Sequence, residues 1–539
     1  MGNPSIKAGL RCLPACAPIG KCWLLGVALV WSAAATAGSF DCATPATPVQ
    51  SNPTVLGNGS PGSVTRLQLQ QALDSANEVR LNIGNGTLVL DQTLQISRAL
   101  SFDGGGATLS GGNARRVIEI SNPGLVNDLS ITLLNLHLIN GDSRGLPGDD
   151  FARSGAAILN DHGSEPWRAV RLFAFDLDFV GNRAVENAQD GGGGAVYLLG
   201  HREFVCVRCL FDNNSGSNGG GYYGLGTQTA RFYDSIFNNN LATGDGGNPG
   251  GGGNGGAMAV DGDTRELSLC RTDLIANRNN AFGAGLFTTV YDQTSVTRIW
   301  QSSIDSNLQQ GTDQHTGGAY IQGGPVSIRD TTFRNNQATG YGGLALFDHG
   351  GVAIGGEIIS STFEGNLART GLGGAMNLQG SAPLLLQNLT IANNRADCDV
   401  CFAGGIANPA NAPITLRNTI FLNNTGGNAF NPWAMLNPVS NGSNNLQWPQ
   451  VRPDSFGQME LPVSPGSSFA DALLGPIADN GGPTQTMALL GGSPAINSGT
   501  ASGAPATDQR GFPRFEGVDI GAFEVQGGGD GIFADGYES

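Results

Sequence analysis

Nine times between residues 170 and 424 an apolar residue is followed three places later by Asn: Phe179/Asn182, Phe211/Asn214, Phe237/Asn240, Leu274/Asn277, Ile304/Asn307, Phe333/Asn336, Phe363/Asn366, Ile391/Asn394 and Phe421/Asn424. Successive Asn positions lie 26 to 37 residues apart. After most of these pairs a glycine pair opens a short apolar run, as in Gly193-Gly194-Ala195-Val196, Gly255-Gly256-Ala257-Met258, Gly317-Gly318-Ala319-Tyr320 and Gly373-Gly374-Ala375-Met376. A repeat of this length is one supersecondary unit that cannot bury its apolar face alone and must stack on its neighbours.

Each period has room for three short strands. The first carries an inward residue five places before the anchor, in the series Ala174, Cys206, Phe232, Leu269, Ile299, Ile328, Ile358, Leu386 and Leu416. The second carries the anchor itself, and the third follows the glycine pair. Like side chains then pile up coil on coil while each backbone pairs with the coils above and below. Asn suits the turn, because it tolerates the left-handed backbone and its amide bonds along a column of like amides. Glycine at the next corner admits conformations closed to residues with a Cβ. An α-helical solenoid is disfavoured, since glycine recurs within each period and no 12-residue helical pattern runs uninterrupted. Gly is abundant, 84 of 539 residues, but it follows no Gly-X-Y period, so collagen is excluded.

The flanks read differently. Lys7, Arg11 and Lys21 precede an apolar run at 22–35 and the small-residue site Ala35-Thr36-Ala37, the pattern of an export signal over 1–37. Residues 38–62, rich in Thr, Pro, Ser and Gly, read as linker. Helical spacing of Leu67, Leu69, Ala72, Leu73 and Ala76 predicts a short helix over 67–76 that caps the first coil. The coils are expected over 63–440.

Beyond the signal six cysteines remain: Cys42, Cys206, Cys209, Cys270, Cys398 and Cys401. The two Cys-x-x-Cys pairs stand six repeats apart, roughly 29 Å at one strand spacing per coil, too far to share a zinc ion. A local disulfide is expected for Cys398 and Cys401, and a buried thiol for Cys206 on its core position.

The alternating F-x-x-N and G-G-A motifs resemble the repeats of chlamydial polymorphic outer membrane proteins, within the wider group of right-handed parallel β-helix proteins that includes pectate lyases. The resemblance implies an all-β, right-handed, single-stranded parallel β-helix and a surface-displayed adhesin. It departs in one respect: too few residues follow the coils for the membrane barrel those proteins carry. From Leu474 onward, Gly475-Pro476-Ile477-Ala478-Asp479-Asn480-Gly481-Gly482-Pro483, Gly492-Ser493-Pro494-Ala495-Ile496, Asp508-Gln509-Arg510-Gly511-Phe512 and Val518-Asp519-Ile520-Gly521-Ala522-Phe523-Glu524 resemble the C-terminal choice-of-anchor Q domain of bacterial surface proteins. That resemblance implies an attachment or sorting region over 441–525, with a tail over 526–539.

A net charge of −16 disfavours nucleic acid and anionic membranes as partners. Neutral glycans or a host or matrix surface are the expected partners, bound by a monomer at the cell surface, the outer membrane or outside the cell, with no transmembrane segment after the signal. Because β-helix enzymes cut polysaccharides with clustered carboxylates, a lyase or glycoside hydrolase is the alternative. The acidic candidates Asp149, Asp150, Asp190, Asp245, Asp261 and Asp263 do not recur at equivalent places, so no catalytic pair is nominated. Asp161-His162-Gly163 and Asp348-His349-Gly350 read as turns. No cofactor is expected, and no motif supports Ca²⁺. Tyr222, Tyr223, Tyr320, Trp300 and Trp433 are candidates for a sugar-binding flank, although packing explains most of them.

Overall fold

A typical coil runs Glu203–Val207 and Leu210–Asp212, then Ser215–Gly216, then Tyr222–Leu225, before the next coil opens with Thr229–Tyr233. The computed structural model describes residues 41–161, 168–247, 250–313, 315–453 and 456–526. The segments read as export signal and C-terminal tail, and His162, lie outside them. From Glu203 to Gly426 each coil gives strand to face one, one strand to face two and one dipeptide to face three, all paired in parallel with the neighbouring coils. The chain is a parallel β-helix.

Strict register makes the core. Ala174, Cys206, Phe232, Leu269, Ile299 and Ile328 are successive partners on face one. Phe333, Phe363 and Ile391 are likewise successive partners. Equal register brings like rings together: Phe211 and Phe237 stack with centroids 4.2 Å apart, and Phe333 and Phe363 at 4.7 Å. At about 1.5–3 kcal/mol per fully buried large apolar side chain, one coil gains little alone while the stack gains steadily.

The repeated Asn fills an interior column. Asn182, Asn214, Asn240, Asn277, Asn307, Asn336, Asn366 and Asn394 are 0–1% exposed and Asn424 5%. Asn182 Oδ1 accepts from Gly141 N at 2.8 Å, and each later Oδ1 accepts from the backbone N–H and Nδ2 of the preceding ladder Asn, for instance Asn214 to Asn240 at 3.1 and 3.0 Å. Each Nδ2 also donates to a carbonyl, as from Asn240 to Phe211 at 2.9 Å. The left-handed turn belongs instead to the residue before it: Asn213, Asn239, Ala276, Ser306, Asn335, Asn393 and Asn423 have φ of 52–57°. The ladder Asn is thus chosen for its amide and its neighbour for its backbone. In the glycine pair, Gly193 takes φ +60°, while a Cβ on Gly194 would lie 2.1 Å from Gly220 O in the adjacent coil.

The first coil is covered by the helix Arg66–Ser75, whose Thr65 and Gln68 form a reciprocal capping box. Leu69, Ala72 and Leu73 are buried, but Leu67 is exposed. Residues 41–53, taken as linker in the sequence, lie along the outside of face one as a strap. Cys42 is bonded to Cys270, Thr44 Oγ1 donates to Asp234 at 2.5 Å, and Arg208 Nη2 donates to Thr47 at 2.6 Å. Thr54–Leu56 then adds a strand beside Glu78–Leu81. Cys206 is not a free thiol. It is bonded to Cys209, because the left-handed turn at Arg208 (φ 53°) folds the chain back so that both sulfurs meet inside the coil. Cys398 is bonded to Cys401.

Parallel pairing continues past residue 440, through Asn441–Ser443, Leu446–Trp448 and Ser468–Phe469. The chain then reverses and lies as a clasp on the outside of face one. Thr484 Oγ1 donates to Asp330 O, Gln509 Nε2 to Thr332 Oγ1, Asn388 Nδ2 to Asp519 O, and Asn444 Nδ2 to Ser498 O. Beneath it Ala392, Ile420, Leu422 and Leu446 pack with Met487, Leu489, Ile520 and Phe523 in a second apolar core.

Burial under the clasp pushes the Asp330 carboxyl up to about 7, with Asp508 raising it further against Arg329 and Arg514. Asp519 and Glu524 are also raised, chiefly by burial. An acid with a raised folded pKa keeps its proton when docked and loses it when undocked, so docking weakens as pH rises from about 4 through about 7. Amide exchange across 471–526 is therefore expected to be slowest near pH 4 and to quicken up to about pH 7, once corrected for intrinsic exchange. Asp330→Asn should remove most of that slope.

Candidate functional site

Strap and clasp occupy face one, so face two is the flank to consider. Its strands alternate: Val196, Tyr222, Met258, Leu286, Ile321, Leu344 and Met376 belong to the main core. The neighbours Leu159, Tyr197, Tyr223, Ala259, Phe287, Tyr320 and Ala345 form a separate outer column. Tyr222 therefore lies inside the coil and Tyr223 outside it. Phe287 and Tyr320 stack at 5.7 Å and Tyr197 meets Tyr223 edge-on at 5.4 Å. Loops on either side bank the column. Phe282 packs 4.3 Å from His315 and 4.8 Å from Tyr320 on one side, and Tyr291 lies 4.5 Å from His349 on the other.

At the upper end two of the acidic candidates share one neighbourhood. The Tyr223 hydroxyl is raised well above its ordinary value by burial and then by Asp261, Tyr197, Asp190 and Tyr291. Tyr291 is pushed up to about 12 by burial and by Asp261, with which it shares a hydrogen bond. Burial raises Asp190, whose backbone carbonyl accepts from Tyr197 Oη at 2.9 Å. The other candidates are dispersed. Asp150 pairs with Arg153 at 2.7 Å, Asp263 with Arg168 at 2.6 Å, and Asp149 accepts from Ala152 N at 3.0 Å. Asp245 makes a short antiparallel bridge to Gly251. Asp348 accepts from Ile354 N and Ser381 N at 2.8 and 3.0 Å, a turn role.

At the lower end the flank opens into a cavity of about 250 Å³, lined among others by Tyr341, Thr370, Leu372, Asn377, Gln379 and Val400. Asn377 and Gln379 are the outward partners of Ala345 and Phe347. The alternation after Gly373-Gly374 (inward Met376 and Leu378, outward Asn377 and Gln379) was available in the sequence and was the signal that could have found them. Of the other aromatic candidates, Trp433 is 8% exposed in the last coils. Trp300 lies half-buried on face one, donating from Nε1 to Ser327 Oγ at 3.0 Å under the Arg329 guanidinium. Among the described residues no group of three or more His, Cys, Asp or Glu is placed to hold a metal, and no helix is long and apolar enough to cross a membrane.

No protein-family model matches this chain, and no curated protein matches it. Solved structures similar to it include tailspike protein 3 of bacteriophage CBA120, at 13% identity and a TM-score of 0.31, covering 73% of this chain and 57% of the tailspike. Another is PfbA, a surface adhesin of Streptococcus pneumoniae, at 12% identity and a TM-score of 0.33, covering 74% of this chain and 85% of the adhesin.

Proposed function

We propose that this chain is an exported β-helix protein, presented at the cell surface as a monomer, that binds glycan along face two. One observation carries the reading: over a buried aromatic column the half-buried Phe282, Tyr341 and Phe347 and the exposed Tyr291 reach the outer side of the flank, which runs into an uncharged cavity lined by amides, the kind of surface on which sugar rings stack and hydrogen-bond. Three disulfides among the described cysteines suit an oxidising compartment. Attachment falls to the C-terminal region read over 441–525, by its resemblance to choice-of-anchor regions. Polysaccharide cleavage is the second reading, favoured by Asp190 and Asp261 converging beside Tyr223.

A glycan panel probed with full-length protein separates the two. Retention of at least one glycan, without new reducing ends or unsaturated products in the presence or absence of Ca²⁺, is the expected outcome. Product formation abolished by Asp261→Asn would replace binding by cleavage. Absence of both would sink the proposal.

A further inference from the structure

Resting on the glycan-binding reading, we propose that the cavity beside Tyr341 is a subsite for one uncharged pyranose ring. Its lining contains no Asp, Glu, His, Lys or Arg. A carboxylated or sulfated sugar entering it would shed hydration with no cation to meet it, and a metal ion would find no anionic or imidazole ligand. An apolar guest fits no better, because the buried amides would stay unsatisfied. Asn377 is 1% exposed, and its Nδ2 has no acceptor within 3.5 Å. Its Oδ1 accepts from Gln379 Nε2 at the limiting distance of 3.5 Å. Burial raises the Tyr341 hydroxyl, and the Gln379 and Asn377 amides, which reach it as hydrogen-bond partners, lower it. Two amides and a phenol hydroxyl converging in one pocket, with Asn377 Nδ2 short of an acceptor at normal distance, suit a ligand that brings its own hydroxyls. Tyr341 and Leu372 supply the apolar surface for the C–H face of a ring.

One wall is covalently fixed. Val400, 72% exposed at the lip, lies in the four-residue loop closed by the Cys398–Cys401 bond, and Cys401 N donates to Cys398 O at 2.8 Å. Opening this bond frees the Val400 wall, so affinity depends on oxidation of the loop.

The test is saturation-transfer NMR and calorimetry on the full chain, with methyl glycosides of glucose, galactose, mannose and N-acetylglucosamine beside methyl glucuronide and galacturonide. At least one neutral glycoside should bind with Kd on the order of 1 mM, the range open to so small a ligand. The uronides should bind at least tenfold more weakly. Tyr341→Ala and Gln379→Ala should each weaken binding tenfold or more, and Cys398→Ser with Cys401→Ser severalfold, at unchanged far-UV spectra. Equal binding of uronides would overturn the uncharged class. Glycan binding untouched by Gln379→Ala and Tyr341→Ala would overturn the cavity and leave the flank reading standing. No binding of any glycan would remove both.

Discussion

Asn240→Ala is expected to cost about 4 kcal/mol, and Asn239→Ala, one residue earlier, about 1 kcal/mol or less. Asn240 is fully buried, and its removal strands the Asn214 backbone N–H, the Asn214 amide and the Phe211 carbonyl. Each orphaned buried group costs about 1–3 kcal/mol, and the small void left behind adds to that. Asn239 is exposed and supplies only its left-handed backbone, φ 54°, which Ala adopts at modest cost. Denaturant unfolding of the two variants measures the contrast. Equal losses would mean that the ladder amides do not hold the coils together.

Asp508→Ala is expected to free the clasp while leaving the coils folded. Asp508 and Arg510 are both fully buried. The carboxylate accepts the backbone N–H groups of Arg510, Phe512 and Glu524 at 2.9–3.0 Å and Arg510 Nε at 2.8 Å. The guanidinium left behind, 3.6 Å from the Phe523 ring, would be a buried charge without its partner, a loss of about 3–5 kcal/mol. Limited proteolysis should then cut within 471–526 while a coil fragment resists. Loss of the whole chain in one step would show that clasp and coils fold as a single unit.

These two sites differ in how far the sequence discloses them. The ladder repeats, so spacing alone exposes Asn182 through Asn424 and their column of anchors. What spacing could not assign was the division of labour within the turn, since Asn239 and Asn240 look alike until one side chain is seen to point inward. The strap was illegible for another reason. Cys42 meets Cys270 across 228 residues, and between them the strap carries the Thr and Pro of an ordinary linker, with no periodicity to betray a partner. On face two, Asp261, Asn377 and Gln379 follow from simple strand alternation, whereas Asp190 reaches the same flank from a loop whose path the spacing does not give. Cys206 was misjudged because its inward position was visible but the fold-back at Arg208 was not.

The strap's covalent hold falls on the level of Cys270, and the clasp's first hydrogen bonds on the level of Asp330 and Thr332. Each lashing has a fixed reach, so a storey added or deleted beneath either would leave it too short or slack. Between them, around Asn307, lies a seam where the tower can gain a storey without either rope changing length. Growth and shrinkage of this molecule across its lineage should be concentrated there.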